Sequence, residues 1–592
     1  MSIVDFIHRR FNWIGRLLLS IYPTISQDIK TSGIGIHPEI YASIGGFTFI
    51  LSIIVSIIVM IISIIILPIW LIFFTTIFSI LFPIGVFIIS GFILPKALSL
   101  NNAAGFDQEA PYVFAYLSVM VTGGVSPYTA FERLENADFL FKRFSKVAKR
   151  FKILVRAMGW DPLSAFEDIA RRVRSMLITD VLFGYIATVG AGGDVIDYLI
   201  KRSRDTFSGL IARIKAAGER MSTLLESYLA ISFVLLMTIS VMYLVSLSIA
   251  RIYIPGVDIY TLFFLSYILM PFLSLVVLYL SDVLQYREPG IIWDPYIIFM
   301  LTTIPLFIFL TYIMVLPFFY PITTPLLNYL VIESSSLIIY ILNIFRVDIV
   351  YAPALSMSIV LTLSLIPSTL YEMLVFRKHT KIVSGVVRFL RDVVEVRKTG
   401  LSPEKCIITL AERDYGLFSK YLKEAASKLA LGFPLSKVYK DLITRIRAWR
   451  ANVFLYNLID AIDVGGGTPE TLENIAYFAE MSEAIERERA ATVRILLIIP
   501  YLSAIILVSS MVFLTVFMST LAVGIIEFKI AIKIIIPAII FNNLFMGLIA
   551  GKVSTGITAS GFKHALILSI VSMITLILTP RIAYMLGMVE GV

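Results

Sequence analysis

The chain contains uninterrupted apolar runs that are long enough to cross a lipid bilayer. Residues 51–66 carry no charged side chain, and several later runs approach or exceed the roughly 20 residues that an α-helix needs to span hydrocarbon. Backbone groups in hydrocarbon must satisfy their own hydrogen bonds, so we expect each run to be helical. Charged residues make up 15% of the chain, whereas soluble domains average about a quarter. The sequence therefore predicts an all-α integral membrane protein.

About nine transmembrane helices are predicted, and two long polar segments divide them into three groups. The predicted spans are residues 42–66, 69–94, 226–249, 259–280, 297–319, 351–372, 495–519, 530–550 and 564–584. The predicted organisation is an N-terminal amphipathic segment at 1–41, a transmembrane pair at 42–94, a first cytoplasmic helical domain at 95–225, four transmembrane helices at 226–372, a second cytoplasmic helical domain at 373–494 and three transmembrane helices at 495–592. A tight turn at Leu67 and Pro68 joins the first two spans, and LIIYILNIF in the loop near 320–350 predicts a re-entrant or interfacial helix.

The placement of Lys and Arg predicts the orientation. With the N-terminus inside, 45 of the 50 Lys and Arg residues fall in segments on the cytoplasmic side, in agreement with the positive-inside bias of charges that flank spans. An even number of spans precedes each long polar segment, so both segments face the cytoplasm. This placement also accounts for the net charge of +9 without a nucleic-acid partner.

The N-terminal stretch MSIVDFIHRRFNWIGRLLLSIY predicts an amphipathic helix. Its apolar residues recur at three- and four-residue steps, whereas Arg9, Arg10 and Arg16 largely occupy other directions. Such a helix binds the inner leaflet through its apolar face. The alternative is a short helix that packs on the first cytoplasmic domain.

The sequence lacks the residue patterns of catalysis, cofactor binding and metal binding. Cys406 is the one cysteine, so no disulfide within the chain is possible, and we expect it to be a small buried residue. The four histidines stand outside any cluster with metal-ligand spacing. The string nearest to a phosphate-binding loop, GLIAGKVS at 547–554, is one residue short between its glycines. We therefore predict a protein that is not an enzyme and has no cofactor.

The two polar segments repeat each other in order. GVSP at 124–127 matches GLSP at 400–403, and GWDPLSAFEDIARRVRS from Gly159 resembles LGFPLSKVYKDLITRIRA from Leu431. Next, VGAGGDVIDYL resembles VGGGTPETLENI, and each segment ends in a charged helical stretch that continues into a span. Internal duplication explains this agreement in order and spacing. Because each repeat follows an even number of spans, the two repeats are parallel.

The repeated motifs are signals that end one helix and begin the next. A glycine stops one helix in the left-handed conformation, a hydroxyl or carboxylate accepts a hydrogen bond from the next helix's free N–H groups, and a proline fits the first turn of that helix. The predicted structural turns are formed by Gly124, Ser126, Pro127, Gly400, Ser402, Pro403, Gly465, Gly466, Gly467 and Pro469. Each polar segment is therefore predicted to be a bundle of short helices with sharp corners.

On these residues the chain resembles the type II secretion system F domain family. The resemblance rests on Gly-Leu-Ser-Pro, on the later Gly-Gly-Gly-Thr-Pro-Glu-Thr-Leu-Glu, and on a charged helix that enters a span. The duplicated layout with many spans is most similar to archaeal members, such as platform proteins of the archaellum and of type IV pili. The resemblance covers nearly the whole chain as architecture.

The resemblance implies a platform in the cytoplasmic membrane for assembly of a filament from pilin-like subunits. It also implies a cytoplasmic hexameric secretion ATPase as a partner that docks on the cytoplasmic domains. Further expected partners are membrane lipids and a second copy of the chain, as a homodimer or a higher oligomer. The sequence leaves open whether the filament is an archaellum, an adhesion pilus or a DNA-uptake system.

Basic clusters on the two domains are the candidate partner-binding residues. They are Arg171, Arg172 and Arg174, then Lys201, Arg202 and Arg204, and in the second domain Arg445, Arg447 and Arg450. We expect them to contact the ATPase, and the alternative is a solvated face near anionic lipid headgroups.

The alternative function is a transporter of an uncharged solute or a lipid. Transport of ions or protons usually places Asp, Glu, Lys or His within spans, whereas the span centres here hold Ser, Thr and the pair Asn542 and Asn543. Such polar residues can hydrogen-bond within or between helices, which we predict for this pair.

Overall fold

The computed structural model describes residues 3–66, 69–248, 263–285, 289–290, 293–320, 327–519 and 525–585. Within these ranges the chain is helical and contains no β-strand, which confirms the predicted all-α fold class. The predicted turn at Leu67 and Pro68 and the predicted outer loop around 251–258 lie outside the described residues.

The chain divides into two compact units. The first unit comprises Met1–Phe207, Leu390–Leu410 and Ala425–Phe478, and the second comprises Ser208–Phe389, Ala411–Glu424 and Ala479–Val592. The cores of both repeats therefore belong to one unit, although about 180 residues of chain separate them.

The helices before the second group of spans include the whole first repeat. They are α1 Ile3–Ile21, α2 Ile25–Thr31, α3 Pro38–Ile66, α4 Ile69–Ile88, α5 Leu94–Thr122, α6 Pro127–Arg133, α7 Lys142–Lys152, α8 Pro162–Arg172, α9 Met176–Gly190 and α10 Val195–Ser248. A π-helical turn at Ile89–Ile93 joins α4 to α5 without a break.

The remaining helices include the second repeat and the last spans. They are α11 Met270–Leu284, α12 Asp294–Ile298, α13 Ile304–Met314, α14 Asn328–Phe345, α15 Ala352–Lys398, α16 Pro403–Leu410, α17 Ser419–Ala430, α18 Leu435–Ile443, α19 Trp449–Asp463, α20 Pro469–Leu496, α21 Ile498–Ser519, α22 Ile525–Thr555 and α23 Gly561–Met585. From the long helix that leaves the membrane to the long helix that re-enters it, α15 to α20 follow the same order as α5 to α10.

Ten helices among the described residues are long and apolar enough to cross a membrane. They are Pro38–Ile61, Ser79–Thr122, Val195–Thr238, Leu265–Leu284, Asp294–Phe318, Asn328–Phe345, Ile349–Lys398, Pro469–Phe517, Lys529–Thr555 and Thr558–Ile582. Nine of them coincide with the predicted spans. The tenth, α14, lies in the loop for which the sequence predicts a re-entrant or interfacial helix.

The packing of the two repeats predicts that α14 does not cross the membrane. Tyr116 of the first repeat donates a hydrogen bond of 2.7 Å to Asp460 of the second, so both repeats lie on one side. The described residues between Thr122 and Leu390 contain four other candidate spans, an even number, and crossing of all four returns the chain to that side. A crossing by α14 would make the number odd and would separate the repeats.

The N-terminal helix α1 packs across the beginning of the first span, α3. The rings of Phe11 and Phe47 lie 5.2 Å apart, and Ile14 is buried where α3 offers Gly46. On its outer side α1 exposes Phe6 and Trp13. This arrangement leaves one apolar face for lipid, as expected of an amphipathic helix at a membrane surface.

Polar residues tie four membrane helices together in the second unit. Asn542 on α22 accepts a hydrogen bond of 2.8 Å from the Ser274 hydroxyl on α11 and donates one of 3.1 Å to the Tyr228 hydroxyl on α10. Asn543 donates a hydrogen bond to Ser572. Both amides thus make helix–helix contacts, as predicted for polar residues at packed interfaces.

Single-cysteine labelling tests the path of α14. In a chain whose Cys406 is replaced by Ala, we expect a membrane-impermeant maleimide to reach cysteines at Tyr329 and Ile349 from the same side of the membrane. A cysteine at Lys142 in the first repeat should react from the opposite side. Reaction of Tyr329 and Ile349 from opposite sides would show that α14 crosses, contrary to this topology.

Candidate partner-binding surface

Six glycines in the left-handed conformation form the corners of the two repeats. The first corners are at Gly124 and Gly400, with φ of 89° and 91°, the second at Gly159 and Gly432, with 71° and 83°, and the third at Gly192 and Gly465, with 68° and 83°. A side chain is strained at such φ values, whereas glycine adopts them readily. The duplication therefore extends to the backbone conformation of all three corners.

Hydroxyl and carboxylate caps follow the first and third corners. Ser126 and Ser402 accept backbone N–H groups at the starts of α6 and α16, where Pro127 and Pro403 occupy the first helical position. Thr468 caps α20 in the same way, and Pro469 begins that helix. In the first repeat Asp194 takes the place of Thr468, accepting N–H bonds at the start of α10.

The corners lie at the end of the first unit that is farthest from its membrane spans. The second span continues as one helix from Ser79 to Thr122, so the first corner stands roughly 40 Å beyond Lys96 at 1.5 Å per residue. The second corner is close by, because Arg156 forms an ion pair of 3.1 Å with Glu132 on α6. We call this end of the first unit the membrane-distal end.

The second repeat places its corners at the same end. A Cβ atom added to Gly466 would lie 3.0 Å from the Cα atom of Gly123, so the third corner of the second repeat touches the first corner of the first. Gly467 lies against Pro403 in the same way. Ser436, just after the second corner, hydrogen-bonds to Asp463, and burial raises the pKa of that carboxyl. All three corners of the second repeat are therefore membrane-distal.

An ion pair and aromatic contacts join the two repeats along α19. The Asp460 carboxylate accepts hydrogen bonds from Tyr116 at 2.7 Å and from Arg133 Nε at 3.1 Å. The bond to Asp460 raises the pKa of the Arg133 guanidinium above its ordinary value. Trp449 Nε1 donates to the carbonyl oxygen of Leu140 at 2.9 Å. These contacts bury one complete face of α19.

The equivalent helix of the first repeat, α9, leaves that face uncovered. Both helices have 15 residues, so Met176 corresponds to Trp449 and Phe183 to Tyr456. Met176 is 79% exposed and Phe183 is also exposed, whereas Tyr456 is buried and stacks on Tyr116. The contact between the repeats is thus asymmetric, and the two copies of this helix have different surroundings.

The structure places the first basic cluster near the end of the predicted second span rather than at the membrane-distal end. Arg174 forms an ion pair with Asp28 on α2 and donates a hydrogen bond of 3.0 Å to Ser99, three residues beyond Lys96. Arg171 and Arg172 are exposed and pair with Glu167 and Asp168 on their own helix, at 2.7 and 2.8 Å.

The other predicted basic residues lie on helix surfaces of both repeats. Arg202 lies over the ring of Tyr198 and Arg204 over the ring of Tyr477, with guanidinium carbon to centroid distances of 5.6 and 4.9 Å. Lys201, Arg445 and Arg447 are exposed, and Arg450 is half-buried. The structure thus spreads these residues over several surfaces.

Sequence reasoning missed an exposed apolar pair at the second corner of each repeat. Met158 and Trp160 flank Gly159 and are 62% and 44% exposed, and Leu431 and Phe433 flank Gly432 and are 77% and 43% exposed. We call these two pairs the distal tips. The signal was present in the aligned segments, since both place large apolar residues on either side of one glycine.

Comparison with known proteins agrees with the repeat. The family described as type II secretion system (T2SS), protein F matches the chain twice, over residues 113–243 and 389–516. The chain belongs to the type II secretion system protein F family. Each of the two matched ranges lies over one repeat and extends into the span that follows that repeat. The chain is therefore a multi-pass membrane protein of the platform type found in secretion and pilus systems.

A relative of this chain occurs in an archaeon. An uncharacterized protein of Methanocaldococcus jannaschii is 21% identical over 516 residues, which cover 82% of this chain and 82% of the relative. No solved structure matches the chain.

Replacing Asp460 tests the contact between the protein F repeats. Asp460→Asn should lower the free energy of unfolding by about 3 kcal/mol, because it leaves a partly buried Arg133 without its carboxylate. Asp441→Asn is the matched control, since Asp441 pairs with Lys428 on the surface and such a pair contributes about 0–1 kcal/mol. Thermal unfolding of the purified full chain measures both. Equal effects of the two substitutions would contradict the assigned importance of Asp460.

Proposed function

We propose that this protein is the platform in the cytoplasmic membrane on which an archaeal type IV pilus-like filament or archaellum is assembled. In this proposal a cytoplasmic hexameric secretion ATPase supplies the energy, and pilin-like subunits are the cargo. The paired repeats face the cytoplasm, in accord with the distribution of Lys and Arg. The archaeal origin of the relative supports the archaeal assignment.

The observation that carries the proposal is the continuity of helices between the paired repeats and the membrane. Long helices leave the membrane as Ser79–Thr122 and Ile349–Lys398, and others enter it as Val195–Thr238 and Pro469–Phe517. An α-helix rises 1.5 Å per residue, so one continuous helix can carry a displacement from a repeat into the membrane. A force applied to either repeat therefore reaches a span directly, which is what a platform without a catalytic centre of its own requires.

Loss of the protein tests this function. Cells without it should produce no surface filaments, while the pilin-like subunits remain in the membrane. The full chain restores filaments, and the purified chain neither binds nor hydrolyses ATP because it offers no phosphate-binding loop. Normal filaments in the deletion strain would reject the proposal. Solute flux into vesicles that contain this chain alone would instead favour the transporter.

The position of Arg174 supports a lipid contact for the first basic cluster. Its ion pair with Asp28 and its bond to Ser99 hold α8 and α9 near the level where the second span ends. Anionic headgroups attract basic residues at that level by about 1 kcal/mol each. In our proposal Arg171 and Arg172 contact lipid, whereas Arg445 and Arg447 retain the predicted ATPase contact.

Charge reversal separates these two assignments. Arg171→Glu combined with Arg172→Glu should weaken binding of the first repeat to anionic lipid. The measurement is the amount of anionic phospholipid that co-purifies with the full chain. Arg445→Glu with Arg447→Glu should weaken ATPase binding, and this effect should diminish at high salt because exposed charges are screened over about 8–10 Å. Unchanged lipid content and unchanged ATPase binding in the respective variants would contradict the assignments.

A further inference from the structure

Both distal tips are built on the same backbone device and are exposed. A left-handed glycine separates the two apolar residues of each tip, and Asp161–Pro162 or Pro434 follows. The stretch from Arg156 to Asp161 is exposed, as is the stretch from Ala430 to Pro434. Proline and the glycine turn restrict the tip conformation before any contact forms, which lowers the entropic cost of binding.

The side chains of the tips are those of binding anchors. Trp is enriched among the residues that contribute most to protein–protein affinity, and Phe and Met are enriched at interfaces generally. Two such pairs at equivalent positions are not explained by folding, since Trp160 and Phe433 keep more than two fifths of their surface exposed. Exposed apolar residues that recur in this way indicate interaction with another protein.

The location of the tips excludes lipid as the occupant. They lie at the membrane-distal end, close to α6 and to Asp463 respectively, where the first corner stands roughly 40 Å beyond Lys96 along α5. The occupant must therefore approach from the aqueous side on which the repeats stand.

The duplication specifies what kind of partner this is. Two equivalent tips on one chain match a partner that offers the same apolar pocket more than once, which is a property of a homo-oligomer. A hexamer presents six identical pockets. Two tips that engage two pockets also gain from effective concentration, so the pair binds far more tightly than either tip alone.

We infer that Met158 with Trp160 and Leu431 with Phe433 are two equivalent anchors that insert into apolar pockets on neighbouring subunits of the cytoplasmic hexameric ATPase. This inference rests on the proposed function, which supplies that ATPase as the partner. It assigns the ATPase contact chiefly to apolar burial at the membrane-distal end, with the basic residues in a secondary role.

The test is binding of the purified full chain, in lipid nanodiscs, to the purified secretion ATPase of the same organism. The first variant carries Met158→Ser and Trp160→Ser, the second carries Leu431→Ser and Phe433→Ser, and a third combines all four. We expect each single-tip variant to bind about 100-fold more weakly, because loss of either tip removes the avidity, and the combined variant to bind more weakly still. High salt should weaken wild-type binding only by the smaller contribution of Arg445 and Arg447, and it should leave the contribution of the tips nearly unchanged.

Two controls keep the result specific to the tips. Met176→Ser removes an apolar side chain that is at least as exposed but lies on α9, and it should bind as wild type. Trp160→Phe combined with Phe433→Trp keeps an aromatic residue at each tip and should retain binding. Exposed substitutions of this kind change unfolding free energy by about 0.5 kcal/mol or less, which thermal unfolding verifies.

Each outcome distinguishes the site from the function. Wild-type affinity in the combined variant would overturn the anchor assignment while the proposed function stands. Failure of the wild-type chain to bind the ATPase would contradict the proposed function, because the ATPase would then not be a partner. Loss of self-association in the combined variant, with ATPase affinity unchanged, would assign the tips to a contact between two copies and overturn the inference. Equal weakening by Met176→Ser would also overturn it.

Discussion

The contact of Arg133 and Tyr116 with Asp460 fixes more of this protein than any other local interaction. It joins residues more than 300 positions apart and brings both copies of one helical repeat into a single compact unit. Because a membrane separates two aqueous sides, packing of the repeats dictates the parity of every crossing between them. The predicted path of α14, the even number of crossings between the repeats and the shared end of all six corners follow from it.

Much of this architecture can be predicted from the sequence because the hydrocarbon core of a membrane makes few demands on a spanning segment. A span needs only length and apolarity, so nine crossings can be read from composition, and glycine with a following cap marks each corner. Asn328–Phe345 is harder, since 18 residues of suitable hydropathy are compatible with a crossing or with an interfacial helix. Only the contact between the repeats distinguishes the two.

The candidate site is harder to predict from the sequence, because contacts between distant residues leave no local signal. Arg133 and Asp460 are ordinary charged residues in their own segments, and nothing local indicates that they pair with each other. The basic residues at 171, 172 and 174 look alike in sequence, yet the fold gives them carboxylate partners and a place near the membrane. Met158 and Trp160 resemble core residues in an alternating apolar pattern. Their exposure becomes evident once Gly159 is seen to reverse the chain.

The unequal surroundings of α9 and α19 have a consequence for how the two halves evolve. Residues of α19 that face the first repeat must fit Tyr116, Arg133 and also Tyr112, whose ring lies 4.8 Å from that of Trp449. A change at any of them therefore requires a compensating change elsewhere. The corresponding residues of α9 carry no such obligation. One copy of the duplicated helix therefore serves as a fixed internal joint, whereas the exposed face of α9 can accept new side chains without disturbing that joint.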